Sequence, residues 1–172
     1  MMPERREGIV LYACRILEVD PKSLPRDLLY LADPSEALVT SYLLRGRALI
    51  AQVEGETVGE VVWLPTRPEA LEIVNLAVRP AHQGQGLGRL LIGAVLGEAR
   101  RGGIRTVEIG TGNSSIGQLA LYQKCEFRIV GVDPDFFLRH YPEPIVENGI
   151  RCRDMVRLAQ HLGEGSDVLP LS

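Results

Sequence analysis

The apolar positions of this chain follow two periods. Leu71 to Val78 is apolar on both parities except at Glu72 and Asn75, the pattern of a central strand covered on both faces. Ala48 to Val53 and Val58 to Leu64 are shorter runs of the same kind. Glu54-Gly55-Glu56 lies between them, and Gly55 permits a positive φ, so the pair predicts a hairpin. Gly8 to Arg15 predicts a first strand, and Thr106 to Gly110, Phe127 to Val132 and Cys152 to Leu158 predict three more. The period becomes helical over Gly86 to Arg101, where Leu87, Leu90, Leu91, Ala94 and Val95 share one stripe. Gly102-Gly103 ends that helix, since glycine accepts the left-handed cap. Ser114 to Lys124 predicts another helix, with Ile116, Leu119 and Ala120 facing inward. Pro25 to Leu31 and Ser35 to Arg45 predict two more, split by Asp33-Pro34, with Ser35 as an N-cap.

The order is strand, two helices, three strands, helix, strand, helix, two strands. That is a mixed α/β domain (α+β in detail) with one central sheet and helices on both faces. It is expected over residues 1–160, with a loose C-terminal tail over 161–172. No internal repeat or low-complexity segment interrupts it.

Composition narrows the function. The 172 residues are 45% hydrophobic and 24% charged, enough for a core without metal or disulfide support. The formal net charge of -3 argues against a dedicated nucleic-acid binder. Cys14, Cys125 and Cys152 form no C-x-x-C, and His82, His140 and His161 are isolated, so no metal site is expected. The charged start lacks an apolar signal core, and no apolar run approaches membrane-spanning length. The expected location is a reducing cytoplasm, away from membranes, and homodimer formation is left open.

The most informative stretch is Asn75-Leu76-Ala77-Val78-Arg79-Pro80, followed by Gln83-Gly84-Gln85-Gly86-Leu87-Gly88-Arg89. A central strand stops at a proline, and a glycine-rich turn opens a helix. Early helix N–H groups have no internal partner and form an anion site. Glycines let a pyrophosphate approach the backbone, and Arg89 adds a charged donor. The dinucleotide fingerprint G-x-G-x-x-G fails: from Gly84 the third glycine falls on Arg89, and from Gly86 it falls on Leu91. The P-loop fails too, because no Gly-Lys-Ser/Thr occurs.

Gln83-x-x-Gly86-x-Gly88, preceded by Leu76-Ala77-Val78 and Pro80, resembles the acetyl-CoA signature of the GNAT superfamily of N-acyltransferases. The resemblance covers roughly residues 46 to 130. It implies a mostly antiparallel sheet splayed at the middle, with the pantetheine arm of acetyl-CoA lying along Leu76, Ala77 and Val78. It also implies cofactor contacts from Gln83 through Arg89 and from Asn113, and no catalytic metal. Tyr122 matches the family tyrosine that protonates the departing CoA thiolate, although a packed amphipathic-helix tyrosine would read the same. The family usually has glycine where Glu126 stands.

Two readings of Glu72 stand side by side. One is a general base working through water, as the resemblance implies; the other is a solvated residue at the sheet end. The connection from Asp133 to Ile150 overhangs the acceptor cleft in this family. Asp133, Asp135, Glu143 and Glu147 make it acidic, with Arg139 and His140 as counterweights and Phe136, Phe137 and Tyr141 as pocket walls. The expected function is acetyl transfer from acetyl-CoA to a primary amine of a small molecule or peptide. The alternative is a non-catalytic CoA-binding sensor or interaction module.

Overall fold

A computed structural model of the chain describes residues 14–163. The first element, β1, spans Cys14–Val19, so most of the strand expected at Gly8 to Arg15 lies outside the described residues, as does most of the tail. Helices α1 (Arg26–Ala32) and α2 (Glu36–Leu43) follow, with Ser35 Oγ accepting from Leu38 N at 3.3 Å as the expected cap. Strands β2 (Arg47–Val53), β3 (Glu56–Arg67) and β4 (Ala70–Val78) form a meander. Then come α3 (Leu87–Arg101), β5 (Thr106–Gly112), α4 (Ile116–Lys124) and β6 (Arg128–Asp133). A short helix α5 (Phe136–His140) and a small hairpin, β7 (Val146–Glu147) with β8 (Ile150–Arg151), lead to β9 (Met155–His161).

Seven strands form one sheet in the order β1-β2-β3-β4-β5-β9-β6. Every neighbouring pair is antiparallel except β4 with β5. The strand expected to be central, β4, is central, and it is covered on both faces. On one face Val61, Trp63, Leu71 and Ile73 pack under Leu87, Leu91, Ile92 and Val95 of α3. On the other, Ala48, Ile50, Val62 and Leu64 pack under Leu29 of α1 and Val39, Tyr42 and Leu43 of α2. Each fully covered Leu, Ile or Val in these layers contributes about 1.5–3 kcal/mol by leaving water.

Three expectations are corrected. The inward stripe of α4 does not hold Ile116, which is 50% exposed, or Ala120; the one buried residue of this helix is Tyr122, with Leu119 and Leu121 partly covered. A nine-residue helix offers about two turns to the core, and here they are centred nearer its C-terminus, where Cys125 and Phe127 anchor the exit. Leu90 of α3 is 37% exposed, and Ile92, Leu96 and Ala99 complete its buried face instead. The expected final strand, Cys152 to Leu158, starts three residues later at Met155 and runs to His161. Helix α5 and the β7–β8 hairpin carry too few residues to show a period and were not expected.

One buried carboxyl group has no counterpart in the sequence reading. Glu60 of β3 is 0% exposed, and neither carboxyl oxygen meets a hydrogen-bond donor. Burial pushes its pKa up to about 8, and the nearby Ala77 N–H offsets that only in part. The folded protein therefore holds this proton while the unfolded chain releases it above an ordinary carboxyl pKa of about 4.3. The contribution to stability is fully present below that value and is lost as pH rises towards 8. The steepest loss is about 1.4 kcal/mol per pH unit. Urea unfolding of wild type and Glu60→Gln between pH 5 and 8 tests this. The wild-type curve should fall with pH across the window and the Gln curve should run flatter; parallel curves would show that Glu60 does not carry a proton in the fold.

Candidate active site

The site begins with a register error in β4. As β3 steps from Val62 to Trp63, its partner steps from Asn75 to Ile73, so Val74 is an extra, bulged residue. A bulge bends a strand and increases its twist. Parallel pairing of β4 with β5 covers Ala70↔Thr106 to Ile73↔Ile109 and stops there, although β4 continues to Val78 and β5 to Gly112. The two strands therefore separate, leaving the β4 main chain from Val74 onward open on that side. Between them lies a cleft of about 350 Å³ lined by Val74, Leu76, Gly110, Gly112, Tyr122 and Tyr141, among others.

Buried polar groups hold the splay open. Asn75 is 3% exposed, and its Nδ2 donates to Leu29 O at 3.1 Å and to Tyr42 Oη at 2.7 Å. The bulged strand is thereby tied to α1 and α2 rather than to β5. On the opposite lip, a Cβ on Gly110 would stand 2.7 Å from Met155 Sδ, and one on Gly112 would collide with Cys152 Sγ. The flexible Met155 side chain could swing away from a Cβ at 110, but the short Cys152 side chain could not easily clear one at 112, so Gly112 is what lets that segment approach β5 so closely.

The glycine turn stands at the end of the opened strand. Gly84 and Gly86 have φ of 75° and 84°, values that suit glycine. A Cβ built on either meets nothing within 4 Å, so the space before the turn is open. Gly86 is the N-cap of α3 and no side chain caps it; the first bonded helix amide is Leu90 N to Gly86 O at 3.0 Å. The N–H groups of Leu87, Gly88 and Arg89 thus sit in the first turn without an intrahelical acceptor, an arrangement with the geometry to bind an anion. Arg89 is exposed beside them and makes no ion pair among the described residues. Gly88 serves packing as well: a Cβ there would stand 3.2 Å from Leu121 Cδ2 of α4. Gln83 turns its side chain back, with Nε2 donating to Val78 O at 2.9 Å, and so closes the end of β4. Gln85 is exposed.

Asn113 and Tyr122 sit on the far side of the splay. The Asn113 side chain donates to Arg151 O at 3.1 Å and accepts from Arg153 N at 2.8 Å and Asp154 N at 3.0 Å. Its amide is committed to pinning the 151–154 segment, a role the sequence reading did not assign to it. Tyr122 is 5% exposed and lines the cleft, with Phe127 at 6.5 Å between ring centroids. Its hydroxyl takes no protein partner among the described residues, and burial pushes its pKa above the ordinary phenol value. A phenol held neutral in this way is a hydrogen-bond donor. The turn after α4 keeps the conformation that the family's glycine would give, because Glu126 adopts a φ of 71°.

Glu72 does not line the cleft. It faces Arg157 of β9 at 3.9 Å and lies opposite Glu108 in the β4–β5 ladder, two residues before the cleft-lining Val74. Burial raises its pKa, Arg157 lowers it and Glu108 raises it, with a net upward shift. The acidic connection divides. Asp133 pairs with Arg139 at 2.8 Å and Arg157 at 3.8 Å, and Asp135 pairs with Arg153 at 3.3 Å. Phe137, Tyr141 and Glu147 instead line the cleft. Asp33, at the end of α1, lines it too; the Asp33-Pro34 break read as a helix divider gave no sign of this.

A sequence model of the family described as Acetyltransferase (GNAT) family matches residues 15–127. The chain belongs to the GNAT acetyltransferase family. An uncharacterised N-acetyltransferase of Bacillus subtilis, YvbK, is 56% identical over 132 residues, covering 77% of this chain and 85% of that protein. A GNAT acetyltransferase of Elizabethkingia anophelis, solved with acetyl-CoA bound, superposes with a TM-score of 0.84 at 43% identity, over 87% of this chain and 99% of that one. A Bacillus subtilis acetyltransferase in complex with CoA gives 0.82 at 51% identity with the same coverage. The GNAT fold expected from the turn is therefore established. Among the described residues, no helix is long and apolar enough to cross a membrane.

Two substitutions test the turn. Gly86→Val puts a β-branched side chain into the open space at a φ it resists, and Arg89→Ala removes only a charge. Calorimetric titration should show CoA binding weakened on the order of tenfold or more in each, with the melting temperature of Arg89→Ala unchanged. Wild-type CoA affinity in both would remove the turn from the site.

Proposed function

We propose that this protein transfers acetyl from acetyl-CoA to a primary amine by direct attack in a ternary complex. The observation that carries this is the succession of three features around β4: an open β4 edge on the cleft, a neutral tyrosine lining that cleft, and an uncapped helix start after the turn that follows the strand. In this reading the backbone of Leu76, Ala77 and Val78 receives the pantetheine arm, and the first turn of α3 with Arg89 receives the pyrophosphate. Asn113 contributes by holding the 151–154 segment that walls the far side. Similarity to structures that contain acetyl-CoA or CoA supports the cosubstrate.

The chemistry follows from these positions. The amine must first lose a proton, because an ammonium has no lone pair. Glu72 takes that proton through water; its raised pKa brings a carboxylate closer to the working range of a base. The amine lone pair then forms the C–N bond at the thioester carbon, with a main-chain N–H near Val78 polarising the carbonyl. The C–S bond breaks, the nitrogen sheds its remaining extra proton to solvent to give the amide, and the Tyr122 hydroxyl gives its proton to the departing thiolate and regains one from solvent. No step calls for a metal, since thioester aminolysis needs no Lewis acid.

Tyr122→Phe separates this role from packing. Its hydrogen bond strengthens only as charge grows on sulfur, so kcat should fall about ten- to a thousandfold with the acetyl-CoA KM nearly unchanged. Wild-type kcat in a stably folded Phe variant would leave water as the donor. For Glu72, the pH profile is the decisive readout. Glu72→Gln should lower kcat/KM at neutral pH and remove the acidic limb attributable to a carboxyl; an unaltered limb would mean that the proton leaves by another route. A binding module without catalysis is the remaining alternative, and it predicts tight CoA binding with no turnover of any amine.

A further inference from the structure

The cleft holds two carboxylates to which the transfer step assigns no work. Asp33 Oδ1 accepts from Tyr141 Oη at 2.8 Å and from Ser35 N at 3.0 Å. Glu147 Oε2 accepts from Ser115 Oγ at 2.9 Å. Each group is therefore oriented by neutral donors, and each keeps one oxygen that takes no protein donor among the described residues. Neither forms an ion pair there, and no lysine, arginine or histidine lines the cleft. This sets them apart from Asp133 and Asp135, which arginines neutralise on the outer side of the same connection. A third acceptor lies in the same lining: Asn75, 3% exposed, whose Oδ1 has no donor.

The walls between these groups are aromatic. Tyr30, Phe137 and Tyr141 line the cleft, with 5.4 Å between the centroids of Phe137 and Tyr141. Aromatic faces attract cations and are indifferent to neutral chains. Partly covered carboxylates without a counter-charge are costly unless something cationic meets them. A neutral-tailed acceptor would bury them uncompensated, and an anionic one would add repulsion.

We propose that the acceptor is a small aliphatic dication: besides the nitrogen that is acetylated, it carries a second, permanently protonated amine held by Asp33 and Glu147. This rests on the acetyl-transfer reading above and names the substrate class of the same cleft. The cleft of about 350 Å³ also borders the β4 edge assigned to the pantetheine arm, so what is left for the acceptor suits a small molecule. The second ammonium would supply the missing donors, and its charge would hold the free amine end towards the thioester.

Three probes of equal chain length test this: 1,5-diaminopentane, 1-aminopentane and 5-aminopentanoate. Wild type should prefer the diamine over the monoamine in kcat/KM on the order of tenfold or more, the usual worth of a charged hydrogen bond, and should use the amino acid least. Asp33→Asn and Glu147→Gln keep the oxygens that accept from Tyr141 and Ser115, so the fold should persist. Together they should bring the diamine-to-monoamine ratio towards one, with the loss in the diamine KM. Glu143→Gln, which neutralises an acidic residue of the same connection outside the cleft lining, should leave the ratio as it is. A wild-type ratio near one, or a ratio that the paired substitutions do not alter, overturns the proposal. Calorimetric titration of the same probes into the CoA-bound protein separates the two readings. Selective diamine binding without turnover would sink acetyl transfer and keep the dication; equal or absent binding of the three probes would overturn the dication.

Discussion

The early end of β4–β5 pairing is the constraint on which the rest of the site depends. A parallel ladder that could have continued past Ile73↔Ile109 stops there, and both strands go on without a partner on that side. Unpaired main-chain groups in a protein interior are costly, so the fold must supply a reason for the gap. It supplies one on each lip. The bulge at Val74 turns β4, and the buried amide of Asn75 fastens it to α1 and α2. Gly112 lets the Cys152 segment crowd against β5, which stays paired with β9 along its whole length, from Thr106 to Gly112. The open edge that results is what the proposed reading uses to receive an extended amide chain, and Tyr122 lines the cleft between the parted strands.

Much of this was legible in the sequence because it depends on local pattern. An apolar strand ending at Pro80 and a turn with glycines at 84, 86 and 88 report backbone requirements directly, and the structure gives positive φ at Gly84 and Gly86 and close packing at Gly88. Glu126 marks the limit of that kind of reading. The position needs a left-handed residue, and Glu126 adopts that conformation at a cost of about 1–2 kcal/mol for a residue with a Cβ. Residue type alone could not say whether the turn was lost or strained. The α4 face was misread for a related reason: a nine-residue helix constrains its own orientation weakly, and tertiary contact at Tyr122 and Cys125 decides it.

The remaining site residues were hidden because they meet through space. Asp33 and Tyr141 are 108 positions apart and joined by one hydrogen bond, and Ser115 reaches Glu147 across 32 positions. No period or spacing encodes such pairs. The acidic connection illustrates the same point. Composition counted four acids against two bases, but geometry sorts them: Asp133 and Asp135 are neutralised by Arg139, Arg153 and Arg157, Glu147 lines the cleft, and Glu143 is exposed. Net charge of a loop is thus a poor guide to the charge that a ligand meets.

The cleft and the glycine turn that follows β4 differ in polarity, and this bears on how substrates orient in the proposed reaction. At the turn, outside the cleft lining, are the free amides of α3 and the guanidinium of Arg89, which favour an anion. In the cleft are Asp33 and Glu147, which favour a cation. A pyrophosphate in the acidic cleft, or an ammonium at the glycine turn, would meet like charge, so each substrate has one orientation that the site accepts. The buried proton holders divide along the same geometry. Glu60 and Tyr122 both resist ionisation because they are covered, but only Tyr122 lines the cleft. Burial therefore makes Glu60 a pH-dependent element of stability, whereas Tyr122 presents a neutral hydroxyl to the cleft, the position its proposed role requires, and the splay of β4 from β5 is what separates the two outcomes.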